Sequence, residues 1–518
     1  MRGSEGRIRN LYYPAYRWRA AAIPRSVKIP TLWDLVDASR PANTDWLVIN
    51  CRASGFWLLA GLTCSVAVSS PTRAQVAARP EYKSLRFDEV WTASHRSPHW
   101  DDVIKAMPLW PGKPVTLTVG GQARWRVETF RAFNLTTTDD DHSQSRLLLS
   151  ADLRAGHLKS LHGRVFAEMR DAQSYGRTLP GAARPSDADR HDAQNLFADL
   201  AHGASFVRYG RQEIALNRER QFGVPDWANT RRGAQGTRAM LVVRALSLDL
   251  IDARPVVVRQ TAANRADSTA RFRVVALGSA PGAKALARGL PALWQGYWVE
   301  QVLTTSATPT RRLTSGGRTM WQWGLTTRRA YSVELEGAIQ KGHTGDQQLD
   351  GWFLVAESQV TWRQVRGAPS LALGIETASG DRASTSSRLE GFAALYPAAH
   401  AHGGFVDVFG RTNLRELHAI GTWDPVKSVA LRAAVYRFDR IQLDDGVYTK
   451  QNTLFRASAL SRDRHAGNEL DVTGTWKATR HWRGIFGASI VTPGAFLLHT
   501  AGGAHTEHWA FAGTSFTF

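Results

Sequence analysis

The chain has 518 residues, with 65 Lys and Arg against 45 Asp and Glu, and its formal charge of +20 is almost wholly arginine because ten positions are lysine. Hydrophobic residues at 43% and charged residues at 21% exclude wholesale disorder and a polytopic helical membrane protein. The length suits two to four ordinary domains or one large barrel, and the charge suits nucleic-acid binding, attraction to an anionic membrane, or traffic in acidic solutes.

The first feature along the chain is the apolar run FWLLAGLTCSVAVSS at residues 56–70, with Arg52 before it and PTRAQ after it. The run is shorter than the roughly 20 apolar residues of a spanning helix, and its basic flank and small residue at Ala74 read as a secretory signal. Residues 1–74 are therefore expected to be an N-terminal extension and signal peptide. Cys51 and Cys64 both lie within it, and nothing later carries a thiol. Gly61-Leu62-Thr63 ahead of Cys64 lacks the small residue that precedes a lipidated cysteine. The rest of the chain keeps 55 basic and 41 acidic residues, a charge of +14, and export removes most of the case for nucleic acid.

Residues 75–114 are polar, carry Trp91, Trp100 and Trp110, and are expected to form a periplasmic segment. From Val115 the texture changes. VTLTVGGQARWRVET sets Val115, Leu117, Val119, Ala123, Trp125 and Val127 on one face against Thr116, Thr118, Gln122, Arg124, Arg126 and Glu128 on the other. This period of two predicts a strand longer than the usual five or six residues. RLLLSADLRA (146–155), GRVFAEMR (163–170), YSVELEGAIQ (331–340) and ELDVTGTWK (469–477) alternate in the same way, whereas residues 135–145 and 179–192 read as polar loops. Alternation is patchy between 252 and 319. The fold class is all-β.

A sandwich alternates as well, with its apolar face as the core. In an outer-membrane barrel the apolar face meets lipid and the ionic face lines the lumen. The export signal, the lack of cysteine and the final alternation of Thr514, Phe516 and Phe518 favour the barrel.

Five motifs in order carry a resemblance over about residues 85–518. They are HWDDVIKAMPLW with VGGQARWRVE, FVRYGRQEI (206–214), DWANTRRGAQGTRA (226–239), ETASGD with FAALYPAAHAHGGFVDVFGRTNL (376–414), and GNELDVT with TPGAFL before the last strand. The chain resembles the alginate export family of bacterial outer-membrane β-barrel porins. The resemblance implies one antiparallel transmembrane β-barrel of about 18 strands over residues 115–518 and a lumen that carries an anionic polysaccharide. The 404 residues from Val115 onward allow about 22 per strand, of which some 9–11 cross the bilayer. Two departures stand out: Trp125 lies between Arg124 and Arg126, and ALNRERQFGVPDW (215–227) is more charged than the family pattern.

In the first three strands the inward positions hold Arg124, Arg126, Arg146, Arg154, Arg164 and Arg170 against Glu128, Asp152 and Glu168. An excess of one sign inside low-dielectric walls concentrates counter-ions, and the arginine fork fits a carboxylate. Arg208, Arg211 and Glu213 lie in the signature the resemblance places in the pore, with Asp226 and Asn229 nearby. The competing reading makes each arginine a brace against a lumen acid. Asp139-Asp140-Asp141-His142 reads as a solvated loop without calcium-loop spacing, and His400, His402, His505 and His508 form no zinc motif. No nucleophile elbow or phosphate loop occurs, so no catalytic residue, metal or cofactor is expected. Trp294, Trp298, Trp321, Trp323, Trp362 and Trp509 suit interfacial girdles, with carbohydrate stacking as the second use.

The expected partners are an anionic polysaccharide or acidic solute and outer-membrane lipid, with a periplasmic partner of a secretion complex as a further candidate. A monomer in the bacterial outer membrane, passing its solute by passive diffusion, is the leading expectation. An exported β-rich polysaccharide-binding protein without a pore is the rival, and an outer-membrane enzyme ranks last.

Overall fold

Strands with one apolar and one ionic edge are stable where their two faces meet different surroundings. The computed structural model describes residues 79–95, 99–179, 183–283, 290–304, 308–324, 328–382, 387–398 and 400–518. The expected signal peptide therefore lies outside the described residues.

Eighteen strands form a closed antiparallel barrel. They are β1 (Val115–Arg131), β2 (Asp140–Ala155), β3 (Leu161–Tyr175), β4 (Asp189–His202), β5 (Ser205–Gln212) and β6 (Ala234–Val243). The next six are β7 (Leu246–Val257), β8 (Ala270–Ser279), β9 (Leu293–Leu303), β10 (Thr310–Trp323), β11 (Arg329–Thr344) and β12 (Gln347–Trp362). The last six are β13 (Ser370–Ala378), β14 (Leu414–Val426), β15 (Val429–Arg440), β16 (His465–Lys477), β17 (Trp482–Pro493) and β18 (Glu507–Thr517). Closure is made by β1 and β18, whose ladder runs from Gln122 opposite Thr517 to Arg131 opposite His508.

The apolar faces point outward. On β2, Leu147, Leu149 and Leu153 are exposed, while Gln144, Arg146, Ser150, Asp152 and Arg154 are buried. On β16, Leu470 and Val472 are exposed and Glu469 and Asp471 buried. A sandwich would show the reverse, because its core is apolar. The patchy stretch has a physical cause: on β8 and β9 the inward positions are themselves apolar (Phe272, Val274, Ala276, Tyr297, Val299), so no ionic face marks the lumen there.

What those inward residues cover is a pair of long loops folded into the barrel. Residues 213–233 bring Ile214, Leu216 and Phe222, and residues 379–413 bring Phe392, Ala394 and Leu395, into one cluster with β8 and β9. The loops also pair with each other, through Tyr396 N–H to the Gln221 carbonyl at 2.7 Å and Ala398 N–H to the Glu219 carbonyl at 3.0 Å. Their satisfied backbone makes a stable internal partition. At the opposite end most turns are short, as at residues 203–204, 244–245 and 427–428, the longer link 280–292 between β8 and β9 being the exception.

The segment before β1 enters the barrel from the short-turn end. Phe87 sits edge-on to Phe166 and Phe197, with centroids 5.8 and 5.5 Å away. Arg86 donates to the Phe518 carbonyl at 2.6 Å and Lys105 to the Val119 carbonyl at 2.6 Å. Gly120 permits this approach, since a Cβ there would meet the Arg86 guanidinium at 2.7 Å. Burial beside Arg86 pushes the Lys105 ammonium down to about 8.

Two expectations need correction. Asp140 and His142 are not in a solvated loop: β2 begins at Asp140, and both side chains are buried inward, where Arg177 lies 3.2 Å from Asp140. Trp509 does not belong to an interfacial girdle either. It shares the inward alternation of Glu507 and Phe511 and packs against Trp227 at 5.3 Å and Phe405 at 5.4 Å.

Candidate functional site

Alternation aims the β1–β5 cations inward, and register then decides what each one meets. Arg154 and Arg164 reach Asp152 at 2.8 and 2.7 Å, and Arg170 is held by Asp189 and Gln194. Arg208 forks onto Asp199 at 2.7 and 2.9 Å, and its guanidinium carbon lies 3.6 Å from the centre of the Phe197 ring. These four side chains are nearly inaccessible and brace the half of the barrel that the N-terminal segment fills. Arg211 is a further correction to the expected lumen set. It follows the outward alternation of exposed Val207 and Tyr209 and is tied to Asp192 at 2.7 Å and the Asn264 carbonyl at 2.8 Å.

The remaining sequence-selected residues meet around Asp226 on the first inward loop. Arg146 donates to its carboxylate at 2.8 Å and Arg231 lies 3.4 Å away. Arg124 donates to the carbonyls of Asp226 at 2.6 Å and Trp227 at 3.2 Å and to Asn229 Oδ1 at 3.1 Å. Arg126 bonds Glu128 at 2.8 Å and lies 3.8 Å above the Trp227 ring. Asn229 pins the loop by donating to the carbonyls of Ser145, Gln173 and Asp187 at 2.9 to 3.0 Å. Arg231 ties together Glu213 at 2.8 Å, Glu168 at 3.2 Å and the Ser84 carbonyl at 2.8 Å. Although burial opposes its charge, Asp226 is held well below the usual carboxylate range by Arg146, Arg231 and Arg124. Its side chain is nonetheless 49% accessible from the lumen.

A second ionic centre joins both inward loops to β11–β13. Arg220 donates to Glu334 at 2.7 Å and Glu336 at 2.9 Å, and Arg411 bonds Glu376 and the Arg220 carbonyl. Arg218, 43% accessible, lies 3.1 Å from Glu334 and 3.2 Å from Glu357. Burial and the nearby Arg220 push His402 down to about 3, and its Nε2 donates to the Arg218 carbonyl at 2.6 Å as a neutral ring. Arg232 stitches the loops by donating to the carbonyls of Gly223, Tyr396 and Pro397 at 3.1, 2.7 and 3.2 Å. Sequence reading missed this centre, although the charge density of ALNRERQFGVPDW was its visible trace.

The accessible inner wall lies across the β18–β1 seam from the filled strands. On β14, β16 and β17, inward-facing Thr422, Asp424, Lys477 and Arg483 are exposed, and Thr475 and the β15 residue Arg432 are partly exposed. This wall leads to a cavity of about 160 Å³ lined by Arg124, Arg146, Asp226, Trp227, Thr475 and Arg483. Arg483 and Lys477 are presented to water, Arg124 and Arg432 in part, beside the exposed Asp226 carboxylate, whereas Arg146 and Arg231 are buried beneath it. The exposed cations suit transient contact with an acidic solute.

A family model described as alginate export matches residues 115–511. No curated protein matches the chain. Among solved structures, Pseudomonas aeruginosa OpdO is similar at 11% identity and a TM-score of 0.53, covering 78% of this chain and 97% of that one. Pseudomonas aeruginosa OccK2 (OpdF) in complex with glucuronate gives 12% identity and a TM-score of 0.53, covering 78% and 96%. Pseudomonas aeruginosa OpdK with vanillate gives 11% and 0.52, covering 77% and 98%. At such identities the likeness is one of fold.

Proposed function

The chain belongs to the alginate export family of outer-membrane channels, and from that premise we propose that it passes small acidic solutes, uronates above all, by passive diffusion past the Arg124–Arg146–Asp226 cluster. Its barrel lies in the bacterial outer membrane, and its family and fold are those of channels. The observation that carries the reading is the accessible Asp226 carboxylate encircled by Arg124, Arg146 and Arg231 where the exposed inner wall ends. Buried Arg146 and Arg231 act through their field, while the partly exposed Arg124 and the exposed Arg483 can meet a passing carboxylate weakly and release it, as conduction requires. Glucuronate and vanillate, bound by two neighbours of the same fold, are both carboxylates, which supports the solute class. One chain closes the barrel, so a single copy suffices for a pore. An alginate-like polymer is the second reading, favoured by the family's description but opposed by the two inward loops and the N-terminal segment that narrow the path.

Planar-bilayer recordings test the proposal. Anion preference in the reversal potential, with a conductance that glucuronate reduces more than glucose, is the expected result. Cation preference refutes the arginine argument, and well-folded protein without conductance favours a binding protein that lacks a pore.

A further inference from the structure

The outer wall carries a feature that neither the lumen nor the barrel explains. On β7, β8 and β9, Val275 stands opposite Leu250 and Trp298, and all three are exposed and apolar. Two residues nearer the long-loop end, about 7 Å along the strand, the same ladder places Arg273 opposite Asp252 and Glu300. The boundary between hydrocarbon and headgroups is thus written in the register, with a tryptophan on its last apolar row.

Above that boundary the wall is basic and indented. Arg273 and Arg311 both bond Glu300 at 2.8 Å, and Arg271 bonds Asp252. Arg254 donates to the Ser268 carbonyl at 2.7 Å. Four arginines here face Asp252, Glu300 and, beside Arg254, Asp267, leaving a surplus of one positive charge. Arg254, Arg271, Arg273 and Glu300 line a cavity of about 230 Å³ with Ser268 and Thr269. Arg271, Arg273 and Arg311 each keep roughly half of their side-chain surface accessible. The network is not charge-neutral. It points an excess of guanidinium forks outward at headgroup height, on the side of the membrane where the long loops lie.

We propose that this cleft binds a phosphate of an outer-leaflet glycolipid. Guanidinium forks match phosphate oxygens in pairs, and a carboxylate on each side orients the forks. The site is independent of what the lumen carries.

The test is native mass spectrometry of the folded protein in detergent with bisphosphorylated lipid A, its dephosphorylated form and phosphatidylethanolamine, with inorganic phosphate as a separate titrant. The expected result is selective retention of the phosphorylated glycolipid. The Arg271→Gln/Arg273→Gln/Arg311→Gln variant should lose about tenfold in affinity, and Arg244→Gln at the short-turn end should lose none. Heat-modifiable gel mobility verifies that each variant is folded, and Arg311→Gln alone serves if the triple variant is not. Equal retention of phosphorylated and dephosphorylated lipid overturns the proposal, as does a triple variant that binds like the wild type. Binding of free phosphate without any lipid preference overturns the lipid assignment.

Discussion

Asp226 accepts a hydrogen bond from Arg146 at 2.8 Å while half of its side chain faces lumen water. The carboxylate therefore does two things: it fixes the arginines and cancels part of their field.

Asp226→Asn should keep the amide oxygen as an acceptor and remove the charge. A unit charge about 5 Å from the path, in water-like surroundings, is worth roughly 1 kcal/mol, or about fivefold in local ion concentration. Reversal potentials should shift towards greater anion preference by about that ratio. An unchanged potential means that ions do not pass this cluster.

Phe87→Ala should release the N-terminal segment. The ring touches Phe166 and Phe197 and lies beneath Arg208, whose guanidinium carbon is 4.8 Å from its centroid. Deleting a buried phenylalanine costs about 3 to 5 kcal/mol, here local to the segment because β1 begins at Val115. Single-channel conductance should rise and protease should cut ahead of β1, with barrel mobility on gels unaltered. Conductance equal to wild type places the segment outside the conducting path.

The barrel was legible because its two solvents impose opposite chemistry on alternate residues, as Leu470 and Asp471 show. The roles of the inward arginines were not, because their partners come from register: nothing local to Arg208 announces Asp199 on β4. Arg211 was legible in principle, since it lies three positions after Arg208 and an odd spacing reverses the face. The inward loops were not, because apolar residues on the inward face of β8 erase the alternation that marks the lumen.

Arg232→Met should loosen the partition between the two inward loops. Three carbonyls, those of Gly223, Tyr396 and Pro397, would lose a charged donor, at about 1 to 3 kcal/mol. The expected effect is frequent gating and added open-channel noise in bilayer traces. A quiet trace with wild-type conductance assigns the loop pairing to the backbone bonds alone.

His402 predicts how the channel responds to acid. Its folded value, about 3, lies below the ordinary 6.5, so the folded state prefers the neutral ring. That preference is fully satisfied above pH 6.5 and destabilises the loop progressively as pH falls from there towards 3. Arg220 and Arg411 repel the proton and Glu376 attracts it. Closures should become more frequent between pH 6.5 and pH 4.5. Carboxylates also titrate in that window, so the readout is the difference between wild type and His402→Gln, which should respond less. Identical acid responses would remove His402 from the cause.

Val472 and Thr473 test the barrel's sidedness with neighbouring residues of one strand. Val472 on β16 is exposed on the lipid face, and Thr473 points into the accessible lumen. Arginine on the lipid face near the bilayer centre costs about 2 to 4 kcal/mol, whereas a lumen position tolerates it. Val472→Arg should therefore lower the urea midpoint of the protein folded in vesicles and reduce insertion. Thr473→Arg should leave that midpoint near wild type and move the reversal potential towards anions, because it adds a cation to the same wall as Arg432 and Arg483. The two variants differ by one position in the chain and add the same side chain, so composition cannot account for opposite outcomes. Equal destabilisation by both would mean that residue 473 is packed against protein rather than water, and the conducting path would then have to lie elsewhere in the barrel.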